Sequence, residues 1–397
     1  MNKTILVTGG SGLIGNGIQS FVNKNNINKY NFIFLSSKDC DLRNQNDTRK
    51  IFLKHKPDYV IHLAAKVGGL FANMNYPVEF YRDNVLMNDV VMELCHEFKV
   101  EKLISCLSTC VFPDKISYPI DETMIHIGPP HSSNAAYSYA KRMIDIMNQS
   151  YNKEYGCNFT SVIPTNIYGP NDNFNLENGH VLPALIHKAY ISKRDNTDFI
   201  IFGSGKPLRQ FIFNKDLGEL FLYVLENYDS IEPIILSVDE EDEVSIEDIA
   251  YLIAEAFDID KSKIKFDKSK SDGQFKKTAS NKKLRTLLPE YKFTKLKDGI
   301  FETCNWFKNN YENVKKIAKK LYVENGQYVV PRSKDEWVYD VLVKDNGTNI
   351  CTVGFTKTQT EGALFFNNFE DINKYYDDQD SIKRIAKEYA LSHGVPW

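Results

Sequence analysis

Tyr137 and Lys141 stand four residues apart in the segment YSYAKRMID. On a helix that spacing puts both side chains on one face. An ordinary tyrosine, with a pKa of about 10, is a sluggish acid–base group at neutral pH, and a nearby cation makes it easier to ionise. Ser108 adds a hydroxyl that can hydrogen-bond a substrate oxygen. Together the three groups would polarise and protonate a carbonyl as hydride reaches its carbon.

A hydride source is written at the start of the chain. Gly9, Gly12 and Gly15 punctuate VTGGSGLIG, directly after the apolar run Thr4–Thr8 and at the mouth of an amphipathic segment. There the backbone must turn tightly and let a pyrophosphate approach a helix N-terminus, whose free N–H groups and dipole favour an anion. A glycine pattern alone is weak; at the first strand–helix junction it predicts a dinucleotide site. The second strand ends Phe34-Leu-Ser-Ser-Lys38, with no carboxylate in it to bind ribose hydroxyls. The hydroxyls of Ser36 and Ser37 and the ammonium of Lys38 suit a 2′-phosphate, so NADP(H) is the expected cofactor. Asp41 is close enough in sequence to face the adenine or to sit in the turn.

These groups need a scaffold that brings them together. Apolar runs predict strands at Thr4–Thr8, Phe32–Leu35, Tyr59–Leu63, Lys102–Leu107 and Phe159–Ile163. Helical spacing predicts helices at Leu13–Lys24, from an Asp47 cap to about His55, at Asn84–Phe98 and at Tyr137–Tyr155. The alternation implies an α/β fold with a Rossmann-type, doubly wound parallel sheet, placing Ser108 at the tip of the fourth strand. Residues 1–169 are read as mainly the NADP-binding domain. Residues 170–316 are read as mainly a smaller α/β substrate domain, with some return of the chain to the first. Its predicted elements are a strand at Phe199–Phe202, a helix at Asp216–Asn227, a helix opened by a capping-box-like Ser245, and a helix at Leu296–Asn309. The run 239–243 reads as a solvated acidic turn. Residues 317–397 are read as a small α+β extension of unknown role. It has hairpin turns at 324–327 and 345–347, then short helices around Phe369–Tyr376 and Ile382–Tyr389.

Bulk properties exclude other classes. A chain of 397 residues favours two or three domains. The net charge of −3 argues against nucleic acid as the main partner. No signal-peptide pattern and no apolar stretch near membrane-spanning length is found. The seven cysteines include no Cys-x-x-Cys pair, so no structural metal site or disulfide framework is expected, and the cytoplasm is the expected compartment.

Residues 3–316 resemble the extended short-chain dehydrogenase/reductase family. The likeness is carried by VTGGSGLIG, HLAAKVGG, SCLSTCVFP, YSYAKRMID, PTNIYGPNDNF, GHVLPALIHK, FGSGKPLRQF and KSDGQFKKTASN, in that order. Within the family the chain looks like the bifunctional 3,5-epimerase–4-reductases of GDP-4-keto-6-deoxy-D-mannose. The resemblance implies that Cys110 and His180 exchange the acidic protons beside the ketone, and that Ser108, Tyr137 and Lys141 serve its reduction. It implies cofactor contacts from Gly9, Gly10, Ser11, Gly12, Leu13, Ile14 and Gly15, then from Ser36, Ser37, Lys38, Asp41 and Leu42. Leu63, Ala64, Ala65, Lys141, Pro164, Thr165, Asn166, Ile167 and His180 complete that set. Substrate contacts are implied for Asn166, Lys188, Phe202, Arg209 and Asp272, and for the segment 270–277. Phe202 stands where relatives carry tryptophan. Thr109 and Cys110 stand where the related dehydratases carry an acidic pair. A homodimer is implied, its contact formed by the helices at 84–98 and 137–155, with Val85, Met87 and Val90 as apolar candidates. Other nucleotide-sugar epimerases or dehydratases and a non-catalytic NADP-binding module are the rival expectations.

Overall fold

The structure, a computed structural model, describes residues 2–176, 179–272, 274–317, 321–329, 338–345, 348–356 and 363–366. Two compact units divide at Asn310 and Tyr311.

The first unit is built on alternating strands and helices. Its first half runs β1 Lys3–Thr8, α1 Leu13–Lys24, β2 Tyr30–Phe34, α2 Gln45–His55, β3 Tyr59–His62, α3 Leu70–Asn75, α4 Pro77–Glu97, β4 Lys102–Cys106, α5 Ala135–Tyr155 and β5 Phe159–Pro164. Its second half runs β6 Asn166–Tyr168, α6 Val181–Asp195, β7 Phe199–Phe202, β8 Leu208–Arg209, β9 Phe211–Phe213, α7 Asn214–Asn227 and β10 Ile234–Leu236. β11 Val244–Ser245, α8 Ile246–Ala256, β12 Ile264–Asp267, α9 Lys282–Leu287 and α10 Leu296–Ile317 follow. The main sheet has the order β10-β5-β4-β3-β1-β2, every pair parallel. β10 lies far along the chain, yet it pairs with β5 at the edge of this sheet.

Both faces of this sheet are covered, which is why its strands read as unbroken apolar runs. On one face Ile5, Val7, Ile104, Val162 and Ile234 pack with Ile18 of α1 and Leu217 and Phe221 of α7. On the other, Leu6, Val60, Leu103 and Phe159 pack with Phe52 of α2 and Val91 and Leu94 of α4. Each such side chain contributes about 1.5–3 kcal/mol by leaving water. α1 and α7 approach so closely that a Cβ on Gly17 would collide with the Asn214 backbone. The smaller pairings β6–β9, β7–β12 and β8–β11 lie outside the main sheet.

Several expected boundaries move. Asn44, not Asp47, caps α2, accepting from the amides of Asn46 and Asp47. The helix expected from Asn84 begins at Pro77, whose missing N–H costs nothing in a first turn, and α3 was not foreseen. The acidic run 239–243 is anchored at its ends: Asp239 pairs with Arg285, and Glu243 accepts from Thr278. The capping box at Ser245 is formed, with Asp248 as its reciprocal partner.

The second unit holds an antiparallel sheet of β13 Leu321–Val329, β14 Val338–Asp345, β15 Thr348–Thr356 and β16 Ala363–Phe366, in that order. Asp345 pairs with Thr348, which fits the hairpin expected at 345–347. The hairpin expected at 324–327 is absent: β13 runs through it, with a bulge between Glu324 and Gly326. The helices expected around 369–376 and 382–389 lie outside the described residues.

Candidate active site

The strand order reverses between β1 and β3, and the loops after those strands open the crevice where such sheets bind ligands. Gly9 leads out of β1 at φ +66°, and a Cβ there would lie 2.8 Å from the Ala64 nitrogen. Glycine is what lets the two loops touch. α1 begins after Gly12 with no side-chain cap, so its first amides are left for an anion. This cradle fits a pyrophosphate. Beneath it, the Thr8 hydroxyl lies 2.7 Å from His62 Nδ1, and His62 Nε2 lies 3.1 Å from the Asn88 side-chain oxygen. Ala64 donates its N–H to the Thr8 hydroxyl, tying the loop to the same chain of polar groups. Burial, and then the charge of Lys141, drop His62 to about 3, so it is a neutral strut.

The tip of β2 holds one group that the sequence reading did not include. Asp39, just past Lys38, accepts from both the amide and the hydroxyl of Ser36 at 2.7 Å. A carboxylate therefore stands at this tip, and Ser36 is engaged with it. Asp41 is exposed, and its oxygens accept from the Arg43 guanidinium at 2.9 Å. Lys38 and Ser37 are exposed, and Leu42 is buried under the turn.

The catalytic candidates gather at the C-terminal end of β4. Ser108 opens a short 3-10 turn, Thr109–Val111, and its Oγ accepts from the Cys110 amide at 3.4 Å. Lys141 is buried on α5 and donates from Nζ to the Cys106 carbonyl at 2.9 Å. Tyr137 lies one turn earlier, its ring edge-on to Phe80 at 6.4 Å. Burial, then the neighbouring Cys110 and Cys106, hold the Tyr137 phenol well above its ordinary pKa. The expected lowering rests on Lys141 together with the charge of an oxidised nicotinamide; in the protein alone, burial dominates. The phenol is thus kept in the protonated, donating form. Burial also lowers Lys141, against the opposing pull of Cys106 and Cys110.

His180 is the residue before α6 and makes no capping bond with its side chain. It keeps an exposed face, while the protein packed around it, and then the charge of Lys277, lower its pKa. Lys277 was expected only as the end of the substrate-contact segment 270–277, with no link to Cys110. Burial lowers it, Cys110 opposes that shift, and Arg209 adds to it. Lys277 therefore joins Cys110, His180 and Arg209 in one electrostatic neighbourhood, and nothing in the local pattern Lys276-Lys277 announces this.

Farther out are the other substrate candidates. The Lys188 ammonium sits 3.2 Å from the centroid of the Phe202 ring, and Lys270 sits 5.8 Å from it. The ring is 55% exposed, so Phe202 is a surface platform and not core. Arg209 is turned inward, donating to the Gln274 carbonyl at 2.6 Å and the Leu208 carbonyl at 2.7 Å. Both Asp272 oxygens are taken by Ser204, through its amide at 2.5 Å and its hydroxyl at 2.7 Å. Asp272 thereby braces the 203–205 turn behind Phe202. Asn166 donates to the Gln210 carbonyl at 2.8 Å, and Thr165 bonds Ser237. Pro164 ends β5, and Ile167 lies in β6.

Parallel sheet, glycine cradle and carbonyl-activating cluster together define a dinucleotide-dependent enzyme of the short-chain dehydrogenase type. The chain belongs to the NAD dependent epimerase/dehydratase family, which residues 5–238 match. It is 58% identical to a GDP-L-fucose synthase from Dictyostelium discoideum over 314 residues, covering 79% of this chain and 98% of that one. It is 50% identical to a probable GDP-L-fucose synthase from Drosophila melanogaster, over 79% of this chain and 100% of the relative. A solved GDP-L-fucose synthetase from Naegleria fowleri bound to NADP matches with a TM-score of 0.75 and 50% identity, covering 79% and 96% of the two chains.

Proposed function

We propose that the chain converts GDP-4-keto-6-deoxy-D-mannose to GDP-L-fucose with NADPH, inverting C3 and C5 and then reducing the C4 ketone. The observation that carries this reading is the grouping of Cys110 with Tyr137, Lys141 and Lys277 at one strand end. A plain keto-reductase needs the tyrosine and lysine but no thiol beside them. The relatives named above support the same reading.

The ketone makes the protons on C3 and C5 acidic, because an enolate can hold the electron pair left behind. Ser108 and Tyr137 are the hydroxyls that would hold that oxygen. Cys110 and His180 are the pair that would remove and return protons; the depressed pKa of His180 leaves its imidazole neutral near pH 7, ready to accept one. NADPH, when bound, supplies the hydride for the second reaction; the 9–15 loop would hold its pyrophosphate. Tyr137 then gives its proton to the C4 oxygen. Lys141 is placed to bind a ribose hydroxyl and to support the charge change at Tyr137. Lys188, Lys270 and Phe202 offer two cations and a ring face to the nucleotide diphosphate.

No helix among the described residues is long and apolar enough to cross a membrane. The free cysteines among them suit a reducing compartment, and we place the enzyme in the cytoplasm. We further infer a homodimer. Of the candidates on α4, Val90 is buried, while Val85 and Met87 are half-buried. The outward apolar side chains are Val78, Tyr81 and Leu86 on α4 and Tyr139, Met143, Ile146 and Tyr155 on α5.

The test of function is product analysis by NMR with the purified chain, the keto sugar and NADPH. GDP-L-fucose supports the reading. NADPH binding without oxidation would make this a binding module, and a C4-reduced sugar of uninverted configuration would make it a reductase alone.

A further inference from the structure

Arg142 follows Lys141 on α5 and is only 5% exposed. Its guanidinium does not pair with a carboxylate among the described residues. Instead Nε and Nη2 donate to the Val111 carbonyl at 3.0 and 2.5 Å, and Nη1 donates to the Gly128 carbonyl at 2.9 Å. Val111 is the last residue of the turn that carries Cys110, and Ser108 holds that turn at its other end. The thiol therefore sits between two fixed points, one of them a buried cation. Burying a guanidinium is costly, and three donated hydrogen bonds to two carbonyls repay only part of it. Its cation also lies 5.3 Å from the Tyr139 ring.

We propose that Arg142 is a positioning residue for the epimerisation step, locking the 109–111 turn so that the Cys110 sulfur meets the substrate carbon and placing a permanent positive charge beside that sulfur. This rests on the function proposed above. In the step it serves, His180 takes the proton as a C–H bond breaks, the electron pair passes into the enolate, and the Cys110 S–H bond then breaks to return a proton to the opposite face, leaving a thiolate beside Arg142. Negative charge on the sulfur favours the charged form of Arg142, and Tyr139 acts in the same direction. The other titratable groups around Cys110 are Tyr137 and Lys141 from α5 and Lys277 from the segment after β12. Lysine cannot replace arginine without loss, because an ammonium lacks the planar fork that reaches both carbonyls.

The experiment is deuterium wash-in at C3 and C5 of the keto sugar in D2O, with the full chain and NADP+ present so that no reduction follows. Wash-in by the wild-type chain tests the proposed function separately; its absence would overturn that reading and not the role of Arg142 alone. Arg142→Met is expected to slow wash-in at least tenfold and to move its pH profile to higher pH. Arg142→Lys is expected to lose several-fold in rate but keep the wild-type profile. An Arg142→Met chain with the wild-type rate, or with a slowed rate and an unmoved profile, overturns the proposal. Should Arg142→Met fail to bind NADP+ and prove unfolded, Arg142→Lys decides, and a wild-type rate in it overturns the proposal.

Discussion

Tyr137 and Lys141 are both pushed by burial toward their neutral forms, one upward and the other downward. The phenol is thus a stored proton. Cys110 is the group whose removal separates the two reactions. Cys110→Ser should cut GDP-L-fucose formation by about a hundredfold or more, within the range of a lost acid–base group, while leaving slow NADPH oxidation. The check is to compare NADPH consumption with product configuration by NMR; unchanged GDP-L-fucose output would sink the assignment. His62 gives a pH prediction of definite sign. Its folded pKa of about 3 lies below the ordinary 6.5. The folded state therefore prefers the neutral ring. Its contribution to stability is fully present above about pH 6.5 and is lost as pH falls toward 3, by up to about 1.4 kcal/mol per pH unit. His62→Gln should flatten the fall in unfolding free energy between pH 6.5 and 4, measured by urea titration.

At the scale of elements, the central strands were legible because each is covered on both faces and so reads as a continuous apolar run. α1 and α5 were legible from their helical spacing. The first turns of α4 were not, since Glu79, Tyr81, Arg82 and Asp83 show no apolar stripe and only Phe80 goes inward. Asn325-Gly326 misled because the pair that opens a hairpin also tolerates a bulge. The site divides in the same way. Gly9, Ser108, Tyr137 and Lys141 carry local spacing signals. Lys277 and Arg142 matter only through distant chain that folds against them, so no window of sequence shows their part. The β2 tip was read in part for a narrower reason: Asp39 lies one residue beyond the segment read as the strand end, and its bond back to Ser36 is a matter of turn geometry. Ser245 offers an element-scale test. It accepts from the Asp248 amide at 3.0 Å to start α8. Ser245→Ala should cost about 1 kcal/mol and lower the Tm by about 2 °C, seen by calorimetry, with activity unchanged.

The whole molecule poses two questions, assembly and the second unit. Glutamate at Met143 or Ile146 puts charge into an apolar face. If copies associate there, Ile146→Glu should give monomers by light scattering at micromolar concentration, where the wild-type chain gives dimers. The relatives cited are matched almost whole by about four-fifths of this chain: 98% of the Dictyostelium discoideum protein is covered by 79% of it. A chain ended after Ile317 should therefore keep NADP+ affinity and turnover within about twofold, checked by calorimetric titration and steady-state rates. A larger loss would give the second unit a part in catalysis.

α5 deserves one last reckoning, in angles. Tyr137, Lys141 and Arg142 point inward from this helix, while Tyr139, Met143 and Ile146 point outward. Each residue of a helix advances the azimuth by about 100°. One residue inserted after Ser138 would put Ala140 in the place of Lys141 and Lys141 in the place of Arg142, and would turn Arg142 away from both of its carbonyls. The helix is thus a cam whose phase is fixed from both sides, able to accept changes of residue type far more readily than a change of length.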